Sequence, residues 1–530
     1  MSQPKYTEQQ AAAIETGGVS IALSAGAGCG KTFVLTQRFL RQLEPGPDTA
    51  DLGTLVAITF TDRAAREMRD RVRESCQLRL QHCEHHEVEH WLTVLRGLDA
   101  ARISTIHSFC TSLLRANAVE ARLDPGFSVL EPALADTLMQ TASETVIHKL
   151  LIQDDPDVVP FVLKFGLERT RDLMSQMARQ RFRMDWSIWE DVTPEVLAED
   201  WRRRWVTEFV PKLIDEVRTS PAGRTVLEML SEHRPQHPEM ERRCDLVVEK
   251  LELEHKWSDP LLELTNLREA AKVQGGGGKS VWPSEDVFEI VKDSLSSLRA
   301  DIDRVVKQLP VVEEDLQLSA EFACRGLRLA RHVSENYDTL KRQAGTLDFD
   351  DLLLRARDLL RDHRDVRQRF ALGIRLLMVD EFQDTDPVQA EIVRSLCGEA
   401  LRHGKLFFVG DAKQSIYRFR RADPQVFRTL REELPSQGQM SLTRNFRSQP
   451  AMLQFVNVLF GAEFERYEPL EPFRNEQLSP IPVIEFLFAT HDAEKSDVTD
   501  DHKPRAEELR RREADWMARR IVELLADATP

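Results

Sequence analysis

A chain of 530 residues, 42% of them apolar, has room for about three or four domains with buried cores. Met1–Lys5 lacks the apolar stretch of a secretory signal, no run approaches the roughly 18 apolar residues of a membrane helix, and the seven cysteines are scattered without a framework, so a soluble cytoplasmic protein is expected. A formal charge of −16 excludes a uniformly cationic surface, yet 72 Lys and Arg suffice for one basic groove, so composition leaves a nucleic-acid partner open.

In chain order, Val19–Ala25 is a short apolar, β-branched run that reads as a buried strand, and Phe33–Leu43 has helical spacing. Leu55–Phe60 repeats the strand pattern before a helical stretch at Arg63–Arg79, and Ala101–Thr105 repeats it again. His82, His86 and His90 recur every four residues; on a continuous helix they share a face that could ligate a metal, the alternative being a polar helix. From 117 to 344 the chain is rich in amphipathic helix formers. It holds six of the eight Trp (186, 189, 201, 205, 257, 282), which at this spacing favour a helical core over ligand stacking. Gly275–Gly278 reads as a flexible loop. Strand patterns return at Ile374–Asp380, Leu406–Gly410 and Met440–Leu442, and His491–Arg512 is a charge-dense linker or exposed helix. Alternating strand and helix predicts an α/β fold with an open parallel sheet and ligands at the strand C-termini, here divided by a large helical insertion.

Two segments carry the chemistry. Ala25-Gly-Ala-Gly-Cys-Gly-Lys-Thr32 joins a strand to a helix start through small residues (Ala25, Gly26, Ala27, Gly28, Cys29, Gly30) that let backbone N–H groups close around phosphates. Lys31 then reaches the outer phosphates and the Thr32 hydroxyl ligates Mg2+. The loop begins with Ala25 where the usual pattern has Gly, and Cys29 reads as a small filler rather than a reactive thiol. Leu376-Leu-Met-Val-Asp-Glu381 supplies the acids at a second strand tip: Asp380 holds the metal, and Glu381 orients and deprotonates water. Hydrolysis of ATP is therefore the more economical reaction.

Further motifs resemble those of superfamily 1 DNA helicases of the UvrD/Rep type, and among them the AddA/RecB helicase–nuclease subunits. Thr7-Glu-Gln-Gln10 resembles the glutamine motif, Thr59-Phe-Thr-Asp-Arg-Ala-Ala-Arg-Glu-Met68 motif Ia, and Ser104-Thr-Ile-His-Ser-Phe109 the next DNA-contacting motif. Val379-Asp-Glu-Phe-Gln-Asp-Thr-Asp386 is similar to the helicase Walker B, Val409–Arg420 to motif III, and Leu442-Thr-Arg-Asn-Phe-Arg-Ser448 to motif IV. Phe419 stands where UvrD-like members more often have Trp, which is nearer the AddA/RecB pattern, as are Asp124-Pro-Gly-Phe127 and Leu347-Asp-Phe-Asp-Asp-Leu352.

The resemblance implies a P-loop NTPase (RecA-like) fold: 1–116 and 345–440 as motor domain 1A, 117–344 as helical domain 1B, and 441–530 as the start of motor domain 2A. It implies that Gln10 reads adenine, Phe446 stacks on it, Gln414 couples the γ-phosphate to DNA, and Arg447 supplies charge from across the cleft. Phe60, Tyr417 and Phe419 would line the single-strand path, with Thr61, Arg63, Thr105, His107 and Arg420 at phosphates or the channel wall. The implied activity is ATP-dependent 3′-to-5′ DNA translocation and unwinding in double-strand-break repair and recombination. Single-stranded and tailed duplex DNA would be substrates, with an AddB/RecC-like partner subunit. Later motor motifs, including a second catalytic arginine, and a C-terminal nuclease are not in the sequence, so an N-terminal portion that needs further domains for unwinding is expected. A P-loop enzyme that does not act on DNA and a non-catalytic ATP- and DNA-binding module are the competing readings.

Overall fold

The computed structural model describes residues 6–182, 186–189, 191–252, 260–272, 279–308, 313–464, 467–474, 484–487 and 506–527. Trp257, Gly275–Gly278 and 491–505 lie outside the described residues. Two compact units divide the chain: Met1–Phe127 with Phe349–Pro530, and Ser128–Asp348.

In chain order the strands are β1 (Ile21–Ala25), β2 (Leu55–Thr59), β3 (Arg102–Thr105), β4 (Ser128–Val129), β5 (Thr346–Leu347), β6 (Leu376–Val379), β7 (Leu406–Gly410), β8 (Gln439–Leu442), β9 (Arg444–Asn445) and β10 (Glu471–Pro472). The first unit contains a six-stranded sheet in the order β3-β2-β6-β7-β1-β8, with every pairing parallel. The six strand patterns of the sequence are these six strands: four are trimmed at their ends, β7 keeps its bounds and β8 begins one residue earlier, at Gln439. β1, β2, β6 and β7 are buried at every position, which is why they read as unbroken apolar runs rather than alternating ones. Ile21, Leu23, Phe39, Leu40, Leu55 and Phe407 form much of the core on one side of the sheet.

The register decides where the site lies. Ser24 pairs with Gly410 and Val379 with Phe408, so the tips of β1, β7 and β6 end side by side. Ligands of open parallel sheets bind at such carboxyl ends.

The second unit is helical, apart from the short β4–β5 pair. Its clusters are built around Ile147, Phe161, Met174 and Tyr337, and around Val226, Val247, Leu264 and Leu298. Trp186, Trp189, Trp201, Trp205 and Trp282 all pack on hydrophobic clusters, as helical spacing led one to expect. Its buried Asp348 is held by several partners, accepting from Arg181 Nη2 at 2.5 Å and Tyr337 Oη at 2.8 Å. The unit begins at Ser128 rather than 117 because residues 117–127 stay with the sheet: Arg369 binds Asn117 Oδ1, and Arg115 lies 5.1 Å over the Phe127 ring. Among the described residues, no helix is long and apolar enough to cross a membrane.

Candidate functional site

The turn after β1 owes its shape to glycine. Gly28 and Gly30 take φ of +78° and +89°, where a side chain is strained. Gly30 caps the helix Lys31–Gln42, which therefore starts two residues before the Phe33 that periodicity marks. Its cap has no side chain, so the first-turn N–H groups are left to face an anion, with the helix dipole behind them. Each glycine is also approached from a different element. A Cβ at Gly26 would lie 2.6 Å from Leu470 Cδ2, one at Gly28 2.7 Å from Arg447 Cβ, and one at Gly30 3.1 Å from Gln10 Nε2. Cys29 is buried and its thiol is pushed up to about 11 by burial, which makes it a packing residue rather than a nucleophile.

Lys31, a tenth exposed, reaches across to the tip of β6, where its ammonium meets Glu381 Oε2 at 2.7 Å. The rest is a closed ring of polar side chains. Gln383 Nε2 donates to the same Glu381 oxygen at 2.7 Å, while Gln383 Oε1 accepts from Asp411 N at 2.9 Å. Gln414 Nε2 donates to Asp411 Oδ2 at 2.7 Å, and Gln414 Oε1 returns to Lys31 Nζ at 3.5 Å. Gly410 is needed because a Cβ there would meet Gln383 Oε1 at 2.6 Å. Glu381 holds φ of +49°, a strain of about 1–3 kcal/mol for a residue with a side chain, secured by Glu381 N donating to Asp380 Oδ1 at 3.0 Å. Asp380 is 9% exposed, and burial, then the neighbouring Glu381, push its carboxyl up to about 6 against the opposing pull of Lys31. Asp384 is raised to about 6 by burial and Glu381 in the same way.

Gln10 sits in a capping box with Thr7, accepting from Thr7 N at 3.2 Å through Oε1, which turns its amide nitrogen toward Gly30. Phe446 N donates to Gly28 O at 2.9 Å, and its ring lies 4.8 Å from that of Phe473. Arg447 is exposed at the next position. The residue that fixes this loop is Asn445, 2% exposed: it donates to Ala27 O at 2.6 Å and accepts from Arg447 N at 2.8 Å and Ser448 N at 2.7 Å. Sequence reading passed over Asn445, Gln383 and Asp411. Each lies inside a quoted motif, and that is their only signal.

A second surface begins beside the ring. Phe60, after β2, lies 4.8 Å from Tyr417, and Tyr417 5.7 Å from Phe419, centroid to centroid. Phe419 is 76% exposed and Phe60 36%, so the row is a surface feature and not core. Thr61 and Thr105 cap the helices Asp62–His82 and Ile106–Ala116, and Thr105 is buried in doing so. Arg63 is exposed and pairs with Glu67. His107 packs edge-on against Phe349 at 5.3 Å, and burial lowers its pKa, which favours the neutral ring. Arg420 ends the single turn Arg418–Arg420 that carries Phe419. Thr32 and Asp380 offer the hydroxyl and carboxylate oxygens that suit a hard divalent cation.

The metal alternative for the histidine series is not supported. The helix ends at His82, Cys83 is extended, and a capping box at Glu84 and Glu87 starts a new turn, so the three rings share no helix face. His82 and His90 instead bond the carbonyls of Leu78 and Leu43. Among the described residues no group of three His, Cys, Asp or Glu is placed to hold a metal ion.

A parallel sheet, a glycine turn running into a helix, and a lysine facing acids at the next strand tips define a P-loop NTPase fold. Residues 6–435 match the UvrD/REP helicase N-terminal domain model, and the chain belongs to that family. It is similar to ATP-dependent helicase/nuclease subunits of the A type. That of Desulfitobacterium hafniense is 29% identical over 518 residues, covering 87% of this chain and 36% of the relative. That of Natranaerobius thermophilus is 27% identical over 490 residues, covering 87% and 38%. For Listeria welshimeri the identity is 25% over 566 residues, covering 99% and 45%. The chain thus spans less than half the length of these relatives.

Proposed function

We propose that this chain is the nucleotide-binding portion of an ATP-driven DNA translocase, acting in the 3′-to-5′ direction as part of a helicase–nuclease in double-strand-break repair and recombination. The observation that carries the reading is the closed ring of Lys31, Glu381, Gln383, Asp411 and Gln414, whose last member stands three residues from the half-buried Tyr417 in the aromatic row. In this reading Met1–Phe127 with 349–440 is the first motor domain, Ser128–Asp348 its helical insertion, and 441–530 the start of the second motor domain. The substrates are ATP and single-stranded or tailed duplex DNA, the partner is of the AddB/RecC kind, and the compartment is the cytoplasm.

The loop from Ala25 to Thr32 binds the phosphates through its N–H groups, and Lys31 leaves Glu381 for the outer phosphates. Freed of that ion pair, Glu381 orients the attacking water and takes its proton. Thr32 and Asp380 would hold Mg2+, which would neutralise phosphate charge. Gln10 and Phe446 receive the adenine, and Arg447 adds positive charge as the γ-phosphate leaves. Gln414 senses that departure, because its amide is shared between Lys31 and Asp411. Phe60, Tyr417 and Phe419 offer base-stacking faces indifferent to sequence, with Thr61, Arg63, Thr105, His107 and Arg420 framing the path.

ATP hydrolysis measured with and without single-stranded DNA tests the reading. Stimulation by DNA that disappears in Lys31→Ala and Glu381→Gln supports it; hydrolysis unchanged in both variants overturns the site. Hydrolysis that no DNA stimulates favours a P-loop enzyme that does not act on DNA, and binding of tailed DNA without any turnover favours a binding module.

A further inference from the structure

We infer that residues 467–473 are a strap that positions the phosphate loop, with Asn457 as its anchor and Leu470 as its contact. The inference rests on the nucleotide reading of that loop. Asn457, on the helix Pro450–Glu463, makes three bonds to the segment: Nδ2 donates to Leu470 O at 2.9 Å, and Oδ1 accepts from Leu470 N at 2.9 Å and Tyr467 Oη at 2.9 Å. One amide thus clamps both sides of the Leu470 backbone and sets its side chain on the core that includes Ala25 and Cys29, against Gly26.

The strap touches the other walls of the site as well. Glu468 accepts from Ser441 Oγ at 2.8 Å and Ser24 Oγ at 3.4 Å, the residues near the tips of β8 and β1. β10 pairs in parallel with β9, and Phe473 N donates to Asn445 O at 2.9 Å, so the strap also holds the strand that carries Asn445. The Lys413 ammonium lies 5.5 Å over the Tyr467 ring and 3.3 Å from Asp411, a member of the polar ring.

The physical consequence concerns pre-organisation. A glycine-rich loop has more conformational freedom to lose than any other, and that loss weakens phosphate binding unless the free protein already holds the loop in shape. Leu470 supplies that restraint at Gly26, whose φ is not in the left-handed region and where an added Cβ would meet Leu470 Cδ2 most closely, at 2.6 Å. Asn457 makes the restraint depend on the helix Pro450–Glu463. Displacing that helix withdraws Leu470, so loop order and nucleotide affinity follow its position. Asn457 and Leu470 are positioning residues; neither touches the nucleotide.

Two measurements on the full chain test the strap. In the first, hydrogen exchange is followed without nucleotide. Asn457→Ala should speed exchange of the amides of 26–30 while the buried strand β7 stays protected, which reports an intact fold. In the second, a fluorescent ATP analogue is titrated with Mg2+ against Gly26→Ala, Leu470→Ala and the double variant. Gly26→Ala alone should weaken binding about tenfold, and adding Leu470→Ala should restore it to the level of Leu470→Ala alone, because the two effects share one contact. Unchanged loop exchange in Asn457→Ala, or a double variant no better than Gly26→Ala, overturns the strap. Faster loop exchange in a chain that binds no ATP analogue overturns the nucleotide reading and leaves the strap standing.

Discussion

The polar ring and the aromatic row grow from the same edge of one sheet, yet they are built on opposite principles. In the ring, Lys31, Glu381, Gln383, Asp411 and Gln414 are interlocked, and each polar atom cited has a partner. In the row, Phe60 and Phe419 turn large apolar faces to solvent, and each lies against the ring of Tyr417 between them. Chemistry at a phosphate needs charges fixed in advance, since reorganising them would cost much of what they contribute. Holding a moving strand of any sequence needs flat faces that bind each base alike and release it. The two surfaces meet at the segment from Gln414 to Tyr417, so the same short stretch serves both.

The comparison can be broken most sharply at the ring. Lys31→Ala and Glu381→Gln should each lower ATP turnover by at least about 100-fold, the scale of losing one preorganised charge, while leaving the affinity for single-stranded DNA unchanged. A parallel fall in DNA affinity, measured by fluorescence anisotropy, would merge the two surfaces into one. At the row, Tyr417→Ala or Phe419→Ala should cost about 1–3 kcal/mol of DNA binding each and spare binding of the ATP analogue. Their effects should not sum, because the two rings touch.

A smaller effect is expected at Asn445. Asn445→Ala leaves Ala27 O and the amides of Arg447 and Ser448 without their partner. About 1–3 kcal/mol of stability should be lost in urea unfolding, with weaker binding of the ATP analogue beside it. The mildest test is acid titration. Asp380 sits near 6, raised above its unfolded value, so its ionisation opposes folding as pH rises through that range and its protonation relieves the strain below it. Mg2+-dependent affinity for the ATP analogue should therefore fall as pH drops from 7 to about 5.5, whereas the nucleotide-free chain gains stability from this group. Asp380→Asn should flatten the affinity trend and reduce the stability trend to the part that Asp384, also raised to about 6, contributes; a wild-type affinity profile flat across the same interval would remove Asp380 from the metal site.

Much of this was legible because it is local. The six apolar runs became the six strands, and strand, glycine turn and Lys31 follow each other without a break. The four-residue spacing of the histidines gives no shared face for an equally local reason: periodicity alone passes through Cys83, whereas one helix ends at His82 and the capping box at Glu84 begins the next turn. Asn445, Gln383 and Leu470 escaped for another reason. Nothing in the spacing of a buried amide tells which backbone it meets, and Leu470 is an ordinary leucine until its distance from Gly26 is known.

Sequence alone determined the strands, the glycine turn, the paired acids and, through motif order, the family. Those features rest on burial periodicity, backbone freedom and residue chemistry, which act over a few positions. Tertiary structure alone decided that Lys31 and Glu381 share an ion pair, that Gln383 and Gln414 close a ring around Asp411, and that Leu470 restrains Gly26. Lys31 and Glu381 stand 350 residues apart, beyond the ends of β1 and β6, the two strands that flank β7, and parallel pairing, not sequence distance, brings those strand ends to one side of the sheet.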